Sequence, residues 1–513
     1  MRGIVLAGTH SGCGKTTVSL ALMAALVQRG LAVQAFKVGP DYIDPGHHAR
    51  ITGRPSWNLD GWMCGHGGVT AGFHRALCGS LGNAHHTSPP QHAQPPATPP
   101  DIVIVEGVMG LYDGASATTN AGSTAEIAAW LGLPVLLVAD VKGMARSAVA
   151  LVRGYRDLAP HLTFAGVVCN RVGGPGHREM LAEAFQHSCP DIPLLGMLPR
   201  NDTLTMPSRH LGLVLAHEAD TADNGTQLAA WIEDALDITA LLDALPQLPH
   251  PLQSAATPHT RPHAQPDAQP PAPASTGPAS QPDAQVPAQP AAIEVAAPVR
   301  IGIASDEAFT FIYPENMALL HEAGAQLVPF SPLRDATLPP ALGGLILPGG
   351  YPELHAAHLA ANTPMHMAIR AFAADLHPVH GECGGFMYLM HTLHTAEGSF
   401  AMCGCLPLAA RMASQRAALG YREVTLAADC ALGTQGTTLR GHEYHYSHLV
   451  EAAPAARALW HSADRKGRAL GPEGLLLGSV SGTYVHTHFA SNPNVARAFV
   501  AACARGNPHA QHA

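Results

Sequence analysis

The feature that most constrains this chain is a segment rich in proline and alanine at residues 250–298. It contains almost no large apolar side chains, so it cannot bury enough surface to offset the entropy lost on folding. We therefore expect a disordered linker that divides the 513 residues into two domains, residues 1–249 and 299–505. A second stretch of similar composition, residues 83–100, is expected to be a disordered insertion in the first domain.

Both domains alternate short apolar runs with helical segments. The runs in the first domain are GIVLAG (3–8), VQAFKVG (33–39), DIVIVEG (101–107), PVLLVAD (134–140) and FAGVVCN (164–170). Those in the second are RIGIASD (300–306), AQLVPF (325–330) and GGLILPGG (343–350). Apolar runs of this length, interleaved with helices such as residues 18–30 and 147–158, are typical of buried parallel strands. The sequence predicts two doubly wound α/β domains.

Charge and cysteine content restrict the environment and the partners. A formal net charge of −9 offers no general attraction for nucleic acid or for an anionic membrane. No run of eighteen apolar residues is present, and the N-terminal MRGIVLAG leaves no room for a signal peptide. The ten cysteines are scattered and form no disulfide framework. We expect a cytoplasmic protein that binds neither nucleic acid nor membrane.

A phosphate-binding loop is indicated by GTHSGCGKTT (8–17), which lies between a predicted strand and a predicted helix. In that position backbone N–H groups and the helix N-terminus face phosphate oxygens, and the lysine reaches the β- and γ-phosphates. Gly8 stands one residue earlier than the usual G-x-x-x-x-G-K-S/T spacing requires. The longer form, G-T-x-x-x-x-G-K-T, resembles dethiobiotin synthetases and their relatives. The predicted nucleotide-binding residues are Gly8, Thr9, Gly12, Gly14, Lys15, Thr16, Thr17 and Asn170.

A magnesium ion that accompanies ATP would need oxygen ligands near this loop. The Thr16 hydroxyl is one candidate, and Glu106, at the end of the run DIVIVE, is a second. Asp60 in NLDGW is a weaker candidate, which depends on its similarity to a metal-binding aspartate in the dethiobiotin synthetases. The alternative for Asp60 is an ordinary turn-forming residue beside Gly61.

Other polar stretches follow the predicted strands. KVGPDYIDPGHH (37–48) contains Lys37, which could neutralise a phosphate and a neighbouring carboxylate together. VEGVMGLYDG (105–114) and CNRVGGPGH (169–177) follow later strands. Open α/β sheets bind ligands at the carboxyl ends of their strands, so these stretches are predicted to line one crevice.

A second site is predicted in the C-terminal domain. HGECGGFMYL (380–389) places Cys383 between glycines, the pattern of a sharp strand-to-helix turn that exposes a nucleophile. A helix N-terminus at this turn is expected to lower the pKa of the thiol. His486 in GTYVHTHF is the predicted base, and backbone N–H groups of Gly384 and Gly350 are the predicted oxyanion donors. Attack by Cys383 on a carboxamide would release ammonia.

Nine motifs, in order, resemble the cobyrinic acid a,c-diamide synthase family of glutamine-dependent amidotransferases. They are GTHSGCGKTT, KVGPDYIDPGHH, VEGVMGLYDG, CNRVGGPGH, SRHLGLV, LPGGYPE, GECGGFMYL, GHEYHYS and GTYVHTHF. The resemblance implies an N-terminal ATP-dependent domain of the P-loop NTPase type and a C-terminal class I glutamine amidotransferase domain. It implies that ATP, glutamine and a corrin are substrates, with Mg²⁺ as cofactor.

The same resemblance implies roles for single residues. Asp41, Glu106 and Asp113 are associated with handling ATP, metal and corrin carboxylates, and Lys37, Asp41 and Asp113 are predicted to bind the substrate. One departure from many class I glutaminases is His488, which stands where those enzymes have the glutamate that orients the catalytic histidine. Something else must therefore orient His486.

Three alternatives remain open at this stage. Two are amidotransferases for other tetrapyrroles, namely cobyric acid synthase and a synthase acting on nickel-sirohydrochlorin. The third is an ATP-driven switch that resembles plasmid-partition ATPases, but Thr9, His10 and Ser11 occupy the place where those proteins usually have an additional lysine. The oligomeric state, the homodimer included, is also open.

Overall fold

The structure, a computed structural model, describes residues 1–79, 99–201, 224–248, 298–450 and 457–505, with Leu204 and the pairs 208–209 and 212–213. The predicted insertion at 83–100 and linker at 250–298 lie outside the described residues, apart from residues 99, 100 and 298.

The first domain is built on a seven-stranded sheet that is parallel throughout, in the order β3-β2-β4-β1-β5-β6-β7. Its strands are β1 (Arg2–Gly8), β2 (Val33–Val38), β3 (Trp57–Leu59), β4 (Ile102–Glu106), β5 (Val135–Asp140), β6 (Phe164–Val172) and β7 (Leu194–Pro199). Their Val, Ile and Leu side chains are buried in two apolar clusters. A parallel sheet covered by helices on both faces requires this pattern.

Helices connect these strands and cover the sheet. They are α1 (Lys15–Gln28), α2 (Ile43–Thr52), α3 (Gly61–Leu77), α4 (Thr124–Leu131), α5 (Arg146–Leu158), α6 (Pro175–Ser188), α7 (Asn224–Glu233) and α8 (Ile238–Ala244). A short antiparallel pair, β8 (Ser208–Arg209) and β9 (Gly212–Leu213), precedes α7.

The second domain contains a ten-stranded mixed sheet in the order β11-β10-β12-β13-β22-β21-β20-β17-β18-β23. The five strands from β11 to β22 are parallel, and the remaining pairings are antiparallel. The strands are β10 (Val299–Ala304), β11 (Ala325–Phe330), β12 (Gly344–Leu347), β13 (Val379–Glu382), β17 (Ala418–Leu426), β18 (Thr438–His445), β20 (Arg457–Asp464), β21 (Ala469–Leu477), β22 (Val480–Thr483) and β23 (Val485–His488).

A four-stranded sheet lies beside it, formed by β14 (Met390–Thr395), β15 (Gly398–Ala401), β16 (Leu406–Met412) and β19 (Ser447–Leu449). The helices are α9 (Pro314–Glu322), α10 (Ala356–Ala361), α11 (Thr363–Ala374), α12 (Gly384–Leu389) and α13 (Asn494–Arg505), with 3₁₀ turns at Pro352–His355 and Phe489–Ser491.

The predicted fold class is confirmed: a parallel α/β nucleotide-binding domain is followed by an α/β amidotransferase-type domain. All eight predicted strands are present, seven of them within about two residues of the expected bounds, and β12 ends at Leu347, before the predicted end at residue 350. The antiparallel half of the second sheet was not predicted. All ten cysteines are free thiols. No helix in the described ranges has the length and hydropathy that a membrane span requires.

The two domains are in direct contact. Arg75 on α3 forms ion pairs with Glu315 and Glu322 on α9. Arg440 on β18 donates a hydrogen bond of 3.1 Å to the carbonyl of Trp62, and its guanidinium lies 4.9 Å from the centre of that indole ring. Trp62 follows the end of β3 closely, so the second domain contacts the first at the carboxyl end of this strand.

Candidate active site

The loop between β1 and α1 has the conformation that its glycines permit. Gly12 and Gly14 have φ values of 79° and 95°, which are unfavourable for residues with a side chain. A Cβ on Gly8 would lie 2.4 Å from Cys13 Sγ, so Cys13 packs directly on the early glycine. Asn170 Nδ2 donates a hydrogen bond of 2.8 Å to the Cys13 carbonyl. The loop with this unusual glycine spacing is therefore stabilised by the packing of Cys13 and by the hydrogen bond from Asn170.

Lys15 begins α1 and is buried, with Nζ donating a 2.8 Å hydrogen bond to the Met109 carbonyl. Burial lowers the pKa of this amine. Thr17 is half-buried in the first turn of α1. The Thr9 hydroxyl is buried, and among the described residues it has no hydrogen-bond partner. Unpaired buried donors are rare in folded proteins, so this one is consistent with a ligand at the loop.

A buried polar cluster joins the ends of β2 and β4 to helices α1 and α2. Lys37 and Glu106 are register partners on neighbouring parallel strands, which brings Lys37 Nζ to 2.9 Å from Glu106 Oε1. Lys37 Nζ also lies 2.5 Å from Asp44 Oδ2. The Thr16 hydroxyl donates to Glu106 Oε1 at 2.7 Å, and His48 Nε2 is 2.8 Å from Glu106 Oε2. These contacts place two carboxylates and a hydroxyl around one ammonium group at the phosphate-binding loop.

The charges in this cluster stabilise one another. Burial by itself would raise the pKa of Glu106, but Lys37 and His48 hold it well below the usual range. Burial would lower the pKa of Lys37, but Asp44 and Glu106 raise it. For Asp41, burial and then the neighbouring Asp44 charge raise the pKa to about 7, and the Lys37 charge opposes this rise only in part.

The donor set at Thr16 suits Mg²⁺, which prefers hydroxyl and carboxylate oxygens. Thr16 and Glu106, the two predicted ligands, are in contact, and Asp44 Oδ2 lies 3.5 Å from the Thr16 hydroxyl. The described residues contain no group of three or more His, Cys, Asp and Glu side chains that could hold a metal ion. A magnesium ion here would therefore need oxygens from the nucleotide, as is usual for this ion.

Asp60 does not join this cluster. Its Oδ1 accepts a hydrogen bond of 2.8 Å from the Met63 N–H as the N-cap of α3, and its Oδ2 accepts one of 2.7 Å from the Tyr421 hydroxyl. Both oxygens are engaged by a cap and an interdomain contact, and the role of Asp60 as a metal ligand stays a prediction. Asp44, which belongs to the stretch KVGPDYIDPGHH, is the carboxylate found beside Thr16 instead.

The two carboxylates predicted to bind substrate, Asp41 and Asp113, accept hydrogen bonds from nearby backbone N–H groups. Asp41 Oδ1 accepts from the Ile43 N–H at 2.7 Å. Asp113 is exposed, and its Oδ2 accepts from the Gly110 N–H at 2.9 Å. They lie in the loops that follow the adjacent strands β2 and β4, and their place in one crevice and their role in binding substrate stay predictions.

The turn at Cys383 has the predicted nucleophile geometry. Cys383 stands between β13 and α12 with φ 47° and ψ −100°, a strained conformation for a residue with a side chain. The turn is held by hydrogen bonds from Cys383 N–H to the Thr483 carbonyl and from Met387 N–H to the Cys383 carbonyl. The predicted lowering of the thiol pKa is wrong for this structure. Burial, followed by the nearby Glu353 charge, raises the pKa of Cys383 above its usual value.

The two predicted oxyanion donors are neighbours. A Cβ on Gly384 would lie 2.9 Å from the Gly350 nitrogen, and a Cβ on Gly350 would lie 2.0 Å from the Ala308 carbonyl oxygen. Only glycine fits at these positions without a backbone shift, so the two N–H groups can be held beside the nucleophile.

His486 on β23 lies against Gly349, where an added Cβ would be 2.3 Å from the imidazole Cε1. The His442 ring stacks on it at 5.0 Å between centroids, and the Tyr42 ring lies at 5.3 Å. Burial lowers the pKa of His486 to about 4, and the Glu382 charge opposes that change only in part. Among the described residues Nδ1 of His486 has no hydrogen-bond partner. The surrounding rings and Gly349 therefore hold the imidazole by packing.

Four residues of these centres were not assigned from the sequence: Asp44, His48, His442 and Tyr42. His48 stands four residues after Asp44 on α2, a spacing that puts both on one helix face and could have revealed it. Tyr42 comes from the first domain and contacts a histidine of the second, a relation that no local pattern encodes.

Comparison with known proteins agrees with this arrangement. Residues 4–214 match a family described as the CobQ/CobB/MinD/ParA nucleotide binding domain, and residues 300–494 match the CobB/CobQ-like glutamine amidotransferase domain. A cobyrinate a,c-diamide synthase of Syntrophotalea carbinolica is 44% identical over 504 residues, which is 98% of each chain. The chain belongs to the family of cobyrinate and hydrogenobyrinate a,c-diamide synthases.

Other members of the family align over similar lengths. A hydrogenobyrinate a,c-diamide synthase of Streptomyces coelicolor is 40% identical over 506 residues, 98% of this chain and 97% of that protein. A cobyrinate a,c-diamide synthase of Salmonella typhimurium is 37% identical over 505 residues, 98% of each chain. The predicted family membership is confirmed, and these full-length relatives are named as synthases and not as partition ATPases.

Proposed function

We propose that this chain amidates the a and c acetate side chains of cobyrinic or hydrogenobyrinic acid, with ATP and glutamine as co-substrates, in cobalamin biosynthesis. The observation that carries the proposal is the contact of the two centres across the domain interface. Asp44, in the first turn of α2, belongs to the cluster around Lys37, and Tyr42, which directly precedes α2, packs against His486. A glutaminase centre and a nucleotide centre joined in this way suit the transfer of ammonia from one to the other.

In the first centre, a substrate carboxylate attacks the γ-phosphorus of ATP, and an acyl phosphate and ADP result. Lys15 and Lys37 neutralise charge on the phosphoryl oxygens. Mg²⁺ held by Thr16, Glu106 and the nucleotide would supply further positive charge there. Ammonia then attacks the acyl carbon, and phosphate leaves.

In the second centre, His486 accepts the proton of the Cys383 thiol as the sulfur attacks the glutamine carboxamide. The tetrahedral oxyanion is stabilised by the N–H groups of Gly350 and Gly384. Its collapse passes the proton to the departing ammonia and leaves a γ-glutamyl thioester, which water hydrolyses to glutamate.

A cytoplasmic location stays part of the proposal, because free cysteines are typical of reducing compartments. No nucleic-acid or membrane partner is required by the reaction, and a homodimer stays an untested state.

The test uses the full-length protein with ATP, Mg²⁺, and either cobyrinic or hydrogenobyrinic acid, with glutamine or an ammonium salt as nitrogen source. Product masses identify the amides and the metal state of the preferred corrin. Cys383→Ser should abolish the glutamine-driven reaction and retain the ammonia-driven one. Amide formation without a nucleoside triphosphate, or glutamine-driven amidation by Cys383→Ser, would contradict the proposal.

A further inference from the structure

We propose that Glu353 binds the α-ammonium group of glutamine and thereby selects this amide donor in the second centre. The inference rests on the proposed function, because it assigns a role within the glutaminase site. It starts from a carboxylate that the catalytic steps above do not use.

Glu353 belongs to the segment that forms the wall of the site. It lies in the 3₁₀ turn Pro352–His355, which follows the oxyanion glycine Gly350 by one residue. A Cβ on Gly384 would lie 2.9 Å from Pro352 Cδ, so this turn contacts the residue after the nucleophile. Among neighbouring charges, that of Glu353 contributes most to the raised pKa of Cys383. The turn that contains Glu353 therefore lies beside the residue that follows the nucleophile, and its carboxylate belongs to the surroundings of the thiol.

The Glu353 carboxylate accepts a hydrogen bond from its own backbone N–H, but one of its oxygens has no partner in the described part of the chain. Its Oε2 is buried without a hydrogen bond among the described residues. The other acidic side chains near Cys383 are engaged: Glu382 accepts from Thr487, and Glu443 pairs with Arg422 and His445. Burial raises the pKa of Glu353 to about 7, as expected for a carboxyl group without a cation.

A buried carboxylate without a counter-charge is costly, and a bound cation would remove that cost. Glutamine carries one permanent cation, the α-ammonium group, at the end opposite the carboxamide that Cys383 attacks. With the carboxamide at Cys383 and the oxyanion at Gly350, the far end of glutamine extends along the wall that contains Glu353. This arrangement would distinguish glutamine from simple amides.

The test compares glutamine with glutaramate, which has hydrogen in place of the α-ammonium group. Release of ammonia by the full-length wild-type protein should show a kcat/KM roughly 100-fold lower for glutaramate, since glutaramate cannot form the ion pair with Glu353. Glu353→Gln should lose about the same factor toward glutamine, mainly in KM, and should discriminate between the two substrates less than about five-fold.

Two controls make the result decisive. Glu397→Gln changes an exposed glutamate of the same domain and should keep full discrimination. Ammonia-driven amidation by Glu353→Gln reports on the first centre, so a failure of the proposed function would be visible separately. Equal use of both substrates by the wild-type protein would overturn the inference without any variant. Unchanged kinetics of Glu353→Gln, or an equal loss toward both substrates, would also overturn it.

Discussion

Replacement of Tyr42 by alanine tests whether the first domain completes the glutaminase centre. The Tyr42 ring lies 5.0 Å from Phe311, 4.6 Å from Tyr313 and 5.3 Å from His486, measured between ring centroids. His486 Nδ1 has no partner among the described residues, so the orientation of the imidazole depends on these neighbours. Removal of the ring should leave a space in which the imidazole can rotate and water can enter.

The size of the effect follows from these contacts. Removal of a large aromatic side chain from a packed site costs on the order of 3 kcal/mol, which here weakens the interface between domains. A misplaced base loses a large part of the contribution of general-base catalysis, so glutamine hydrolysis should fall by about 10- to 100-fold in kcat. Glutamate release measures this step, and ammonia-driven amidation measured in parallel reports on the first centre.

Two variants separate positioning of His486 from docking of the domains. Tyr42→Phe keeps the ring and should stay within about three-fold of the wild-type rate, because packing is retained. Tyr421→Phe removes the hydrogen bond to Asp60 at another point of the interface, and it should cost about 1 kcal/mol of docking without a comparable loss of glutaminase rate. Wild-type glutamine hydrolysis by Tyr42→Ala would refute the reasoning. An equal loss in Tyr421→Phe would show that docking alone is responsible.

Three further predictions concern single groups. Lys37→Met leaves the buried carboxylates of Asp44 and Glu106 without their shared ammonium group. The free energy of unfolding should therefore fall by about 3–5 kcal/mol, and ammonia-driven amidation should be lost. An unchanged melting temperature would contradict this prediction. Because the pKa of His486 is lowered to about 4, its imidazole is neutral and able to accept a proton well below pH 6.5. The kcat at saturating glutamine should therefore fall only near pH 4. A loss of activity centred near pH 6.5 would contradict this prediction. Gly350→Ala places a methyl group 2.0 Å from the Ala308 carbonyl oxygen and must displace an oxyanion donor. Glutamine hydrolysis should therefore fall at least about 100-fold, while ammonia-driven amidation persists. Gly154→Ala is the control, because its methyl group would meet nothing within 4 Å.

Local patterns predicted the parallel strands and the residues at their ends well. Lys37 and Glu106 each close an apolar run, and parallel strands that pair in register must bring such ends together. The glycines around Cys383 likewise predicted the turn, because few other residues fit a helix that begins so close to a strand. The antiparallel strands β17, β18, β20 and β21 were missed, because they are partly exposed and contain polar residues that do not form uniform apolar runs.

The sequence could not indicate how far each group is buried, and burial reverses one prediction. The turn at Cys383 does place the thiol at a helix N-terminus, which favours the thiolate, but the site is closed to water and burial has the larger effect on its pKa. The sequence also could not indicate contacts between the domains. The position of Asp60 beside a turn was visible, but the hydrogen bond from Tyr421 of the other domain to its second carboxylate oxygen was not.

The short stretch GPDYID connects the two centres in a way that only the folded chain reveals. Asp44 faces Lys37 and Thr16, whereas Tyr42, two residues earlier, faces His486 of the second domain. Because successive residues at the start of a helix point in different directions, one stretch can contact both centres at once. A nucleotide or substrate that moves Asp44 would therefore also act on the ring against which His486 packs. If Tyr42→Ala retained a glutaminase rate that still rose on addition of ATP and corrin, this stretch would not be the connection between the centres.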